Sequence, residues 1–208
     1  MTLIKICGIT NVEDAIESVR LGANLLGFVF ADSPRQVEVD TVKHVNRIIG
    51  GDAKTVGVFT DESDEVLSIM RECELTYAQL HGGQSEDFAR RIGSQRVIRV
   101  SRVQDESSIL GLASQKEAAF YLLDAYRKGV AGGTGETFDW DLAVSAKSLD
   151  KPIFLSGGLT PGNVADAIRA VQPYAVDVSS GVEARPGKKD LAKVKEFIDN
   201  VRKADIRA

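Results

Sequence analysis

The sequence of 208 residues is poor in cysteine, in net positive charge and in long apolar runs. Its two cysteines, Cys7 and Cys73, form no C-x-x-C pair and are too few for a disulfide framework. No window approaches the roughly 20 apolar residues of a membrane span, and the first residues lack the pattern of a signal peptide. We therefore expect no membrane partner and a reduced, cytoplasmic location. The net charge of −4 argues against a nucleic-acid partner, although a few local donors are enough to bind a small anion.

Histidine is scarce as well, and its scarcity bears on metal chemistry. The two histidines are His44, on a predicted helix face, and His81, at the end of a predicted strand. A site of two histidines and two carboxylates needs two histidines at strand ends, and one is available. We therefore expect no metal and no cofactor, and we expect His81 to line a substrate site.

Short apolar, β-branched runs alternate with longer amphipathic stretches along the chain. Several of the runs are almost continuously hydrophobic, which is typical of strands covered on both faces of a parallel sheet. The eight runs are 3–7, 24–30, 55–59, 77–80, 96–100, 119–123, 152–155 and 174–178. Helix signals stand between them, such as Asn11 before and Gly22 after the first amphipathic stretch. A last amphipathic helix is predicted over 188–203, with its lysines and arginines on a solvated face.

Eight strand–helix units in 208 residues average 26 residues each. Parallel strands joined by helices cross over right-handedly, and eight such units close into a barrel. We predict an α/β fold, a single (β/α)8 TIM barrel with short loops, forming one catalytic domain over 1–208. The alternative is an open doubly wound sheet, but its G-x-G-x-x-G fingerprint is absent after the first run.

Glycine-bearing loops follow the seventh and eighth predicted strands, where barrels of this kind usually bind phosphate. Glycines let the backbone approach an anion closely, and N–H groups at a helix start attract negative charge. A lone glycine pair is also compatible with a simple tight turn. Because two such loops follow the two expected strands, we predict that Gly157, Gly158, Ser180 and Gly181 bind the phosphate of a small substrate.

Two titratable residues end strands that lie on opposite parts of the predicted barrel wall. Cys7 ends the first strand, where its thiolate can act as a base or nucleophile, although a small buried apolar role is the common fate of cysteine. Asp124 ends the sixth strand, where loss of water raises the pKa of a carboxyl and suits it to donate a proton; a capping role is the alternative. Such a pair fits acid–base chemistry on one substrate.

Two further residues complete the candidate set, and the second cysteine is expected to lie outside it. Asp177 interrupts the apolar eighth strand, so we expect it to be paired or to face the barrel mouth. Arg35, beyond the second strand, can hold a carboxylate through its planar guanidinium, and a solvated loop arginine is the alternative. Cys73 lies within a predicted helix and is expected to be a buried apolar residue.

These motifs together resemble one family, phosphoribosylanthranilate isomerase, over nearly the whole chain and in order. The opening KICGIT and the late DVSSGVE are the most specific segments. The matching stretches are 5–10, 27–30, 33–35, 56–59, 79–82, 122–124, 132–135, 138–140, 155–164, 177–183 and 186–190. The segment 90–118 is less distinctive and supports the fold more than the function.

The resemblance implies an Amadori rearrangement of N-(5-phosphoribosyl)anthranilate to 1-(2-carboxyphenylamino)-1-deoxyribulose 5-phosphate, in tryptophan biosynthesis. By carry-over, Asp124 protonates the ribose ring oxygen and Cys7 removes the proton from the sugar C2′. Arg35 meets the anthranilate carboxylate, and Asp177 lines the anthranilate pocket. The resemblance thus implies a phosphorylated aminosugar as the small-molecule partner.

Two other functions stay open on the sequence alone. One is another sugar-phosphate barrel such as a pentulose-phosphate epimerase, against which the histidine count speaks. The other is a non-catalytic phospholigand sensor or scaffold, which would need neither Cys7 nor Asp124. A monomer or weak homodimer is expected, and the glycine-rich stretch 129–135 is a candidate lid or a simple turn.

Overall fold

The computed structural model describes residues 1–125 and 139–207 and contains a closed barrel of eight parallel strands. The strands pair in chain order, and the last pairs with the first. They are β1 (Leu3–Cys7), β2 (Leu25–Val29), β3 (Lys54–Phe59), β4 (Tyr77–Leu80), β5 (Val97–Val103), β6 (Phe120–Ala125), β7 (Ile153–Leu155) and β8 (Ala175–Val178). The predicted TIM barrel is confirmed. The candidate lid at 129–135 lies outside the described residues.

Eight helices surround the barrel in the described part of the chain. They are α1 (Val12–Leu21), α2 (Val39–Ile49), α3 (Asp64–Glu72), α4 (Glu86–Ile92), α5 (Glu106–Ala113), α6 (Trp140–Ser145), α7 (Val164–Val171) and α8 (Leu191–Arg207). The predicted signals of α1 function as expected: the side chain of Asn11 accepts the N–H of Asp14 at 2.9 Å, and Gly22 ends the helix at φ 113°. Within the described residues, no helix is both long and apolar enough to cross a membrane.

The barrel wall separates two apolar cores because successive strand residues face opposite sides. In β1, Ile4 and Ile6 face the helices and belong to the large outer core. Leu3 faces inward, and Lys5 and Cys7 share its side of the strand. A smaller inner core fills the lower half of the barrel with Leu25, Val56, Ile98, Leu122, Phe154 and Ala175. Polar inward-facing residues therefore lie above an apolar floor.

Residues 183–189 form a hairpin, so the predicted start of the last helix at 188 is wrong. The hairpin pairs β9 (Glu183–Arg185) with β10 (Lys188–Lys189) in antiparallel fashion, and Gly187 turns the chain at φ 78°. The helix begins at Leu191, where Asp190 accepts the N–H groups of the first turn at 3.1 and 3.2 Å. The predicted solvated face is also wrong for Lys189, which is buried.

The last helix binds the start of the first strand at the amino-terminal end of the barrel. The carboxylate of Asp205 accepts the backbone N–H of Thr2 at 3.0 Å, and Arg202 donates to the carbonyl of Thr2 at 2.7 Å. These contacts span about 200 positions of sequence and join the two ends of the described chain.

Candidate active site

One cavity at the carboxyl ends of the strands collects all of the predicted site residues. Its volume is about 220 Å³. The predicted residues that line it are Cys7, Arg35, His81, Asp124, Gly157, Gly158, Asp177, Ser180 and Gly181. Strand alternation explains this convergence, because Cys7, Asp124 and Asp177 occupy inward-facing positions near the ends of their strands.

Cys7 is the last residue of β1, and its thiol is free and buried. Burial raises the pKa of the Cys7 thiol above its usual value, while the nearby ammonium of Lys5 opposes that rise. The thiol lies on the face of β1 that looks into the cavity. Its position at the cavity permits contact with a ligand, and its role as a base stays a prediction.

Asp124 lies near the end of β6 with 14% of its side chain exposed. Burial raises the pKa of Asp124 to about 6, and the negative charge of Asp177 contributes to this rise. The N–H of Ala125 donates to Oδ1 at 3.0 Å, and Arg102 on the paired position of β5 partly offsets the effect of burial. At this pKa about one tenth of Asp124 is protonated at pH 7, far more than for an ordinary carboxyl, and a proton donor requires this form.

His81 lies just beyond β4 and faces Asp124. Its Nε2 lies 3.6 Å from Oδ2 of Asp124, which is too long for a hydrogen bond. Burial lowers the pKa of His81 to about 4, and the charges of Arg102 and Lys5 act in the same direction. The imidazole is therefore neutral near pH 7, so it is a polar neighbour of Asp124 rather than a counter-ion.

Asp177 is both paired and directed at the cavity, so the two alternatives predicted for it hold together. Its Oδ1 lies 2.8 Å from Nζ of Lys5, which sits at the register partner position on β1. Its Oδ2 accepts the hydroxyl of Ser156 at 3.1 Å. Sequence reasoning missed Lys5; its place two residues before Cys7 puts it on the same face of β1, but only the pairing of β1 with β8 identifies Asp177 as its partner.

Arg35 is a half-buried residue with a bidentate partner, so the solvated alternative is wrong. Its Nε and one terminal nitrogen donate to the two carboxylate oxygens of Glu183 at 2.9 and 2.7 Å. Planar guanidinium and carboxylate groups match each other in this geometry. The contact orients the guanidinium at the edge of the cavity.

Lys189 links three segments at the edge of the cavity, and sequence reasoning missed it. Its Nζ lies 2.6 Å from the carbonyl of Cys7, 3.3 Å from that of Ser179 and 3.0 Å from Oε1 of Glu183. It therefore joins the end of β1, the end of β8 and the hairpin. The two strands of the hairpin are too short to show a hydrophobic period, so the sequence gave no sign that Lys189 is buried. The charged residues around it resembled the surface of a helix.

The two glycine loops line the cavity and pack against neighbouring main chain at distances that a side chain would prevent. Gly157 and Gly158 have φ of 80° and 73°, which favour glycine. A Cβ on Gly157 would lie 2.2 Å from the amide nitrogen of Ala125, and one on Gly181 would lie 2.0 Å from the carbonyl of Leu159. Both glycines are therefore required where their loops pack against neighbouring main chain at the cavity, and phosphate binding there stays a prediction.

Arg102 is a further cationic residue of the cavity, and it lies in a segment that sequence reasoning assigned to the fold. The described residues contain no group of three or more His, Cys, Asp or Glu side chains placed to hold a metal ion. The site thus combines a carboxyl with a raised pKa, a thiol, backbone-lined loops and several cations.

Comparison with known proteins gives a consistent family. A family model described as N-(5'phosphoribosyl)anthranilate (PRA) isomerase matches residues 4–200. A relative named N-(5'-phosphoribosyl)anthranilate isomerase from Trichlorobacter lovleyi is 44% identical over 206 residues, covering 98% of this chain and all of the relative. One of the same name from Geotalea uraniireducens is 48% identical over 200 residues, covering 95% of this chain and 97% of the relative.

Solved structures agree. The phosphoribosyl anthranilate isomerase of Thermotoga maritima superimposes with a TM-score of 0.90 at 39% identity, covering 98% of this chain and 100% of that one. A further structure of such an isomerase, in complex with reduced 1-(o-carboxyphenylamino)-1-deoxyribulose 5-phosphate, gives 0.87 at 38% identity with the same coverage. The chain therefore belongs to the N-(5'-phosphoribosyl)anthranilate isomerase family.

Proposed function

We propose that the chain isomerises N-(5-phosphoribosyl)anthranilate to 1-(2-carboxyphenylamino)-1-deoxyribulose 5-phosphate, with Asp124 as general acid and Cys7 as general base. The observation that carries the assignment is that this carboxyl, with its raised pKa, and this thiol line one cavity together with both glycine loops. Family membership favours this reaction over a pentulose-phosphate epimerase and over a non-catalytic phospholigand sensor.

The first step needs an acid. Asp124, protonated, donates to the ribose ring oxygen, the bond between that oxygen and C1′ breaks, and the nitrogen lone pair forms a Schiff base. The burial that raises the pKa of Asp124 to about 6 keeps a proton available near neutral pH. The neutral imidazole of His81 beside it does not compete for that proton, because the pKa of His81 is about 4.

The second step needs a base. The thiolate of Cys7 removes the proton from C2′, and the electrons of that bond move through the Schiff base to give an enolamine. The enolamine tautomerises to the ketone of the product. Proton transfer by positioned side chains supplies the catalysis, and each such transfer typically contributes about 10²–10⁴-fold.

Binding in this proposal uses the two ends of the cavity. Gly157, Gly158, Ser180 and Gly181 hold the phosphate through main-chain N–H groups, which also explains how an acidic protein binds an anion. Arg35 meets the anthranilate carboxylate with the side of its guanidinium that Glu183 does not occupy. His81 and Asp177 line the space between. The bound reduced aminosugar phosphate of the structural relative supports a small phosphorylated ligand.

The acid–base assignment is tested with Cys7→Ala and Asp124→Asn. Each should lower kcat by about 10²–10⁴-fold, because each removes one proton-transfer group. The change in anthranilate fluorescence over time measures kcat. Each should still bind the reduced product analogue. Cys73→Ala, which changes the other cysteine, is the matched control and should retain full activity. A Cys7→Ala enzyme as active as the wild type would remove the base assignment.

Three sequence predictions stay predictions. They are one domain over 1–208, a monomer or weak homodimer, and a cytoplasmic location. One of the similar solved structures is of mutually generated monomers of the dimeric isomerase from Thermotoga maritima.

A further inference from the structure

Lys5 is a charged residue in the interior of the barrel, and the proposed reaction steps do not use it. Its side chain is fully buried and its ammonium lies 2.8 Å from Oδ1 of Asp177. Removing an ammonium from water is costly, and an apolar residue at this position would fill the interior without that cost. Its neighbours in β1, Ile4 before it and Ile6 after it, are apolar and face the opposite side of the strand.

The ammonium of Lys5 and the sulfur of Cys7 both border the space that the missing side chain of Gly27 leaves open. Gly27 is the register partner of Cys7 on β2. A Cβ placed on Gly27 would lie 2.6 Å from Sγ of Cys7 and 3.0 Å from Nζ of Lys5. The nitrogen and the sulfur are therefore within the roughly 4–6 Å over which an opposite charge favours an ionised group.

Four charged residues lie near the thiol of Cys7, and they come from β1, β8, the hairpin and the loop after β2. Burial raises the pKa of Cys7; Lys5 is the largest opposing influence, Asp177 raises that pKa and Lys189 lowers it. Arg35, from the loop after β2, also interacts with the thiol charge. Burial alone lowers the pKa of Lys5, but Asp177 and Cys7 more than offset this and raise it above its usual value. Lys5 therefore stays protonated at any working pH.

We propose that Lys5 is a positioning residue of the isomerisation, whose ammonium, held by Asp177, stabilises the thiolate of Cys7 that takes the C2′ proton. The proton passes from carbon to sulfur, and Lys5 keeps its three protons throughout. The proposal rests on the role of Cys7 as base. It explains why an ion pair lies beneath the thiol, where an apolar contact would serve packing equally well.

The direct test measures the thiolate without catalysis. In a Cys73→Ala background Cys7 is the one remaining cysteine, and its alkylation by iodoacetamide at pH 8 reports the thiolate. Lys5→Met should slow alkylation by about 3- to 30-fold, since a lost neighbouring charge shifts a pKa by about 1–3 units and the weaker acid gives a more nucleophilic thiolate. Lys54→Met, on the exposed start of β3, is the matched control and should not change the rate.

The second readout is kcat/KM against pH. Activity needs protonated Asp124 and ionised Cys7 together, and the pKa of Asp124 is about 6 whereas that of Cys7 is raised. The activity follows the product of the protonated fraction of Asp124 and the ionised fraction of Cys7. This product rises with pH up to about pH 6, is constant above it, which we call the level region, and falls beyond the pKa of the thiol. Lys5→Met should lower the level region by about 10- to 100-fold and move the limb near pH 6 slightly upwards, because Lys5 also lowers the pKa of Asp124. Binding of the reduced product analogue should change much less than the level region does, since the glycine loops and Arg35 are untouched.

A second variant covers the case in which Lys5→Met does not fold, since it leaves Asp177 buried without a partner. Lys5→Met/Asp177→Asn replaces the ion pair by a neutral pair of similar shape. Its alkylation should still be slower than in the Cys73→Ala parent, because Lys5 outweighs Asp177 in its effect on the pKa of Cys7.

The outcomes separate the two proposals. Unchanged alkylation in a folded Lys5 variant, with Cys7→Ala inactive, overturns the role of Lys5 and leaves the base assignment standing. An active Cys7→Ala enzyme overturns the proposed function and the catalytic role of Lys5 with it. Slower alkylation together with a lower level region supports both.

Discussion

At the scale of single residues, Gly27 leaves the space in which the thiol of Cys7 sits. We predict that Gly27→Ala lowers kcat/KM by about tenfold or more, because a Cβ 2.6 Å from Sγ must displace the sulfur, and displacements near 1 Å cost about 10²-fold. Steady-state kinetics measure the loss. Binding of the reduced product analogue should be less affected, since the glycine loops are untouched.

Gly111 offers the matched control for this change. It lies in α5, and a Cβ there would meet nothing within 4 Å. Gly111→Ala should keep full activity and gain up to about 1 kcal/mol in stability, because alanine favours a helix. If Gly27→Ala were as active as Gly111→Ala, the thiol would have room to move and the argument from close packing would fail.

The placement of polar residues at strand ends was predictable, and their long-range partners were not. Cys7 and Asp124 were found because a polar residue that ends an apolar run is conspicuous. The partner of Asp177 was missed because register across β1 and β8 joins residues 172 positions apart. A lysine such as Lys5 in a single sequence resembles a solvated one until that register is known.

At the scale of elements, the hairpin of β9 and β10 supports one side of the cavity. Glu183 binds Arg35 and Lys189, and it is 7% exposed. Burial alone raises the pKa of Glu183, but the hydrogen bonds and charges of its two partners lower it below the usual value. The carboxylate is therefore ionised near neutral pH and balances two cations.

We predict that Glu183→Gln raises KM and lowers the free energy of unfolding by about 3–5 kcal/mol, because it leaves Arg35 and Lys189 without their counter-charge. Urea unfolding and steady-state kinetics check the two effects. Glu196→Gln, at an exposed position of α8, is the control and should change neither. A Glu183→Gln protein with unaltered KM would show that Arg35 does not depend on the hairpin.

This hairpin could not be predicted because its strands are too short for a period to appear. β9 has three residues and β10 has two, and basic residues follow the turn at Gly187. Local propensity and charge favour a solvated helix there. The burial of Lys189 depends on carbonyl groups of β1 and β8, which lie elsewhere in the sequence.

At the scale of the whole molecule, two cavity residues make opposing contributions to stability as pH falls. Folding raises the pKa of Asp124 from 3.8 to about 6, so the folded protein gains stability on acidification through this range. Folding lowers the pKa of His81 from 6.5 to about 4, so the folded protein loses stability between these values. Each contribution is about 3 kcal/mol, and they nearly cancel.

We predict that Asp124→Asn exposes the effect of His81. Its free energy of unfolding should fall by about 3 kcal/mol more than that of the wild type between pH 7 and pH 4. Urea unfolding at several pH values measures the difference. Adding His81→Gln should restore the pH dependence of the wild-type free energy of unfolding. Parallel curves of that free energy against pH for wild type and Asp124→Asn would refute the opposing contributions of Asp124 and His81.

The barrel itself was predictable because eight runs of similar spacing leave few ways to bury parallel strands. The inner floor was less so, since Leu25 and Phe154 belong to runs that are apolar on both faces. Which side of each run faces inward follows from closure of the ring, and closure is a property of all eight strands together.

The pairing of β1 with β8 gives the ion pair of Lys5 and Asp177 a meaning for assembly. One partner comes from the first strand and the other from the last, so the ion pair beneath the sulfur exists only after the ring has been joined. A chain that has made its first seven strands holds an isolated cation under its thiol. Recovery of turnover during refolding therefore times the meeting of the two ends, rather than the formation of the bulk of the helices.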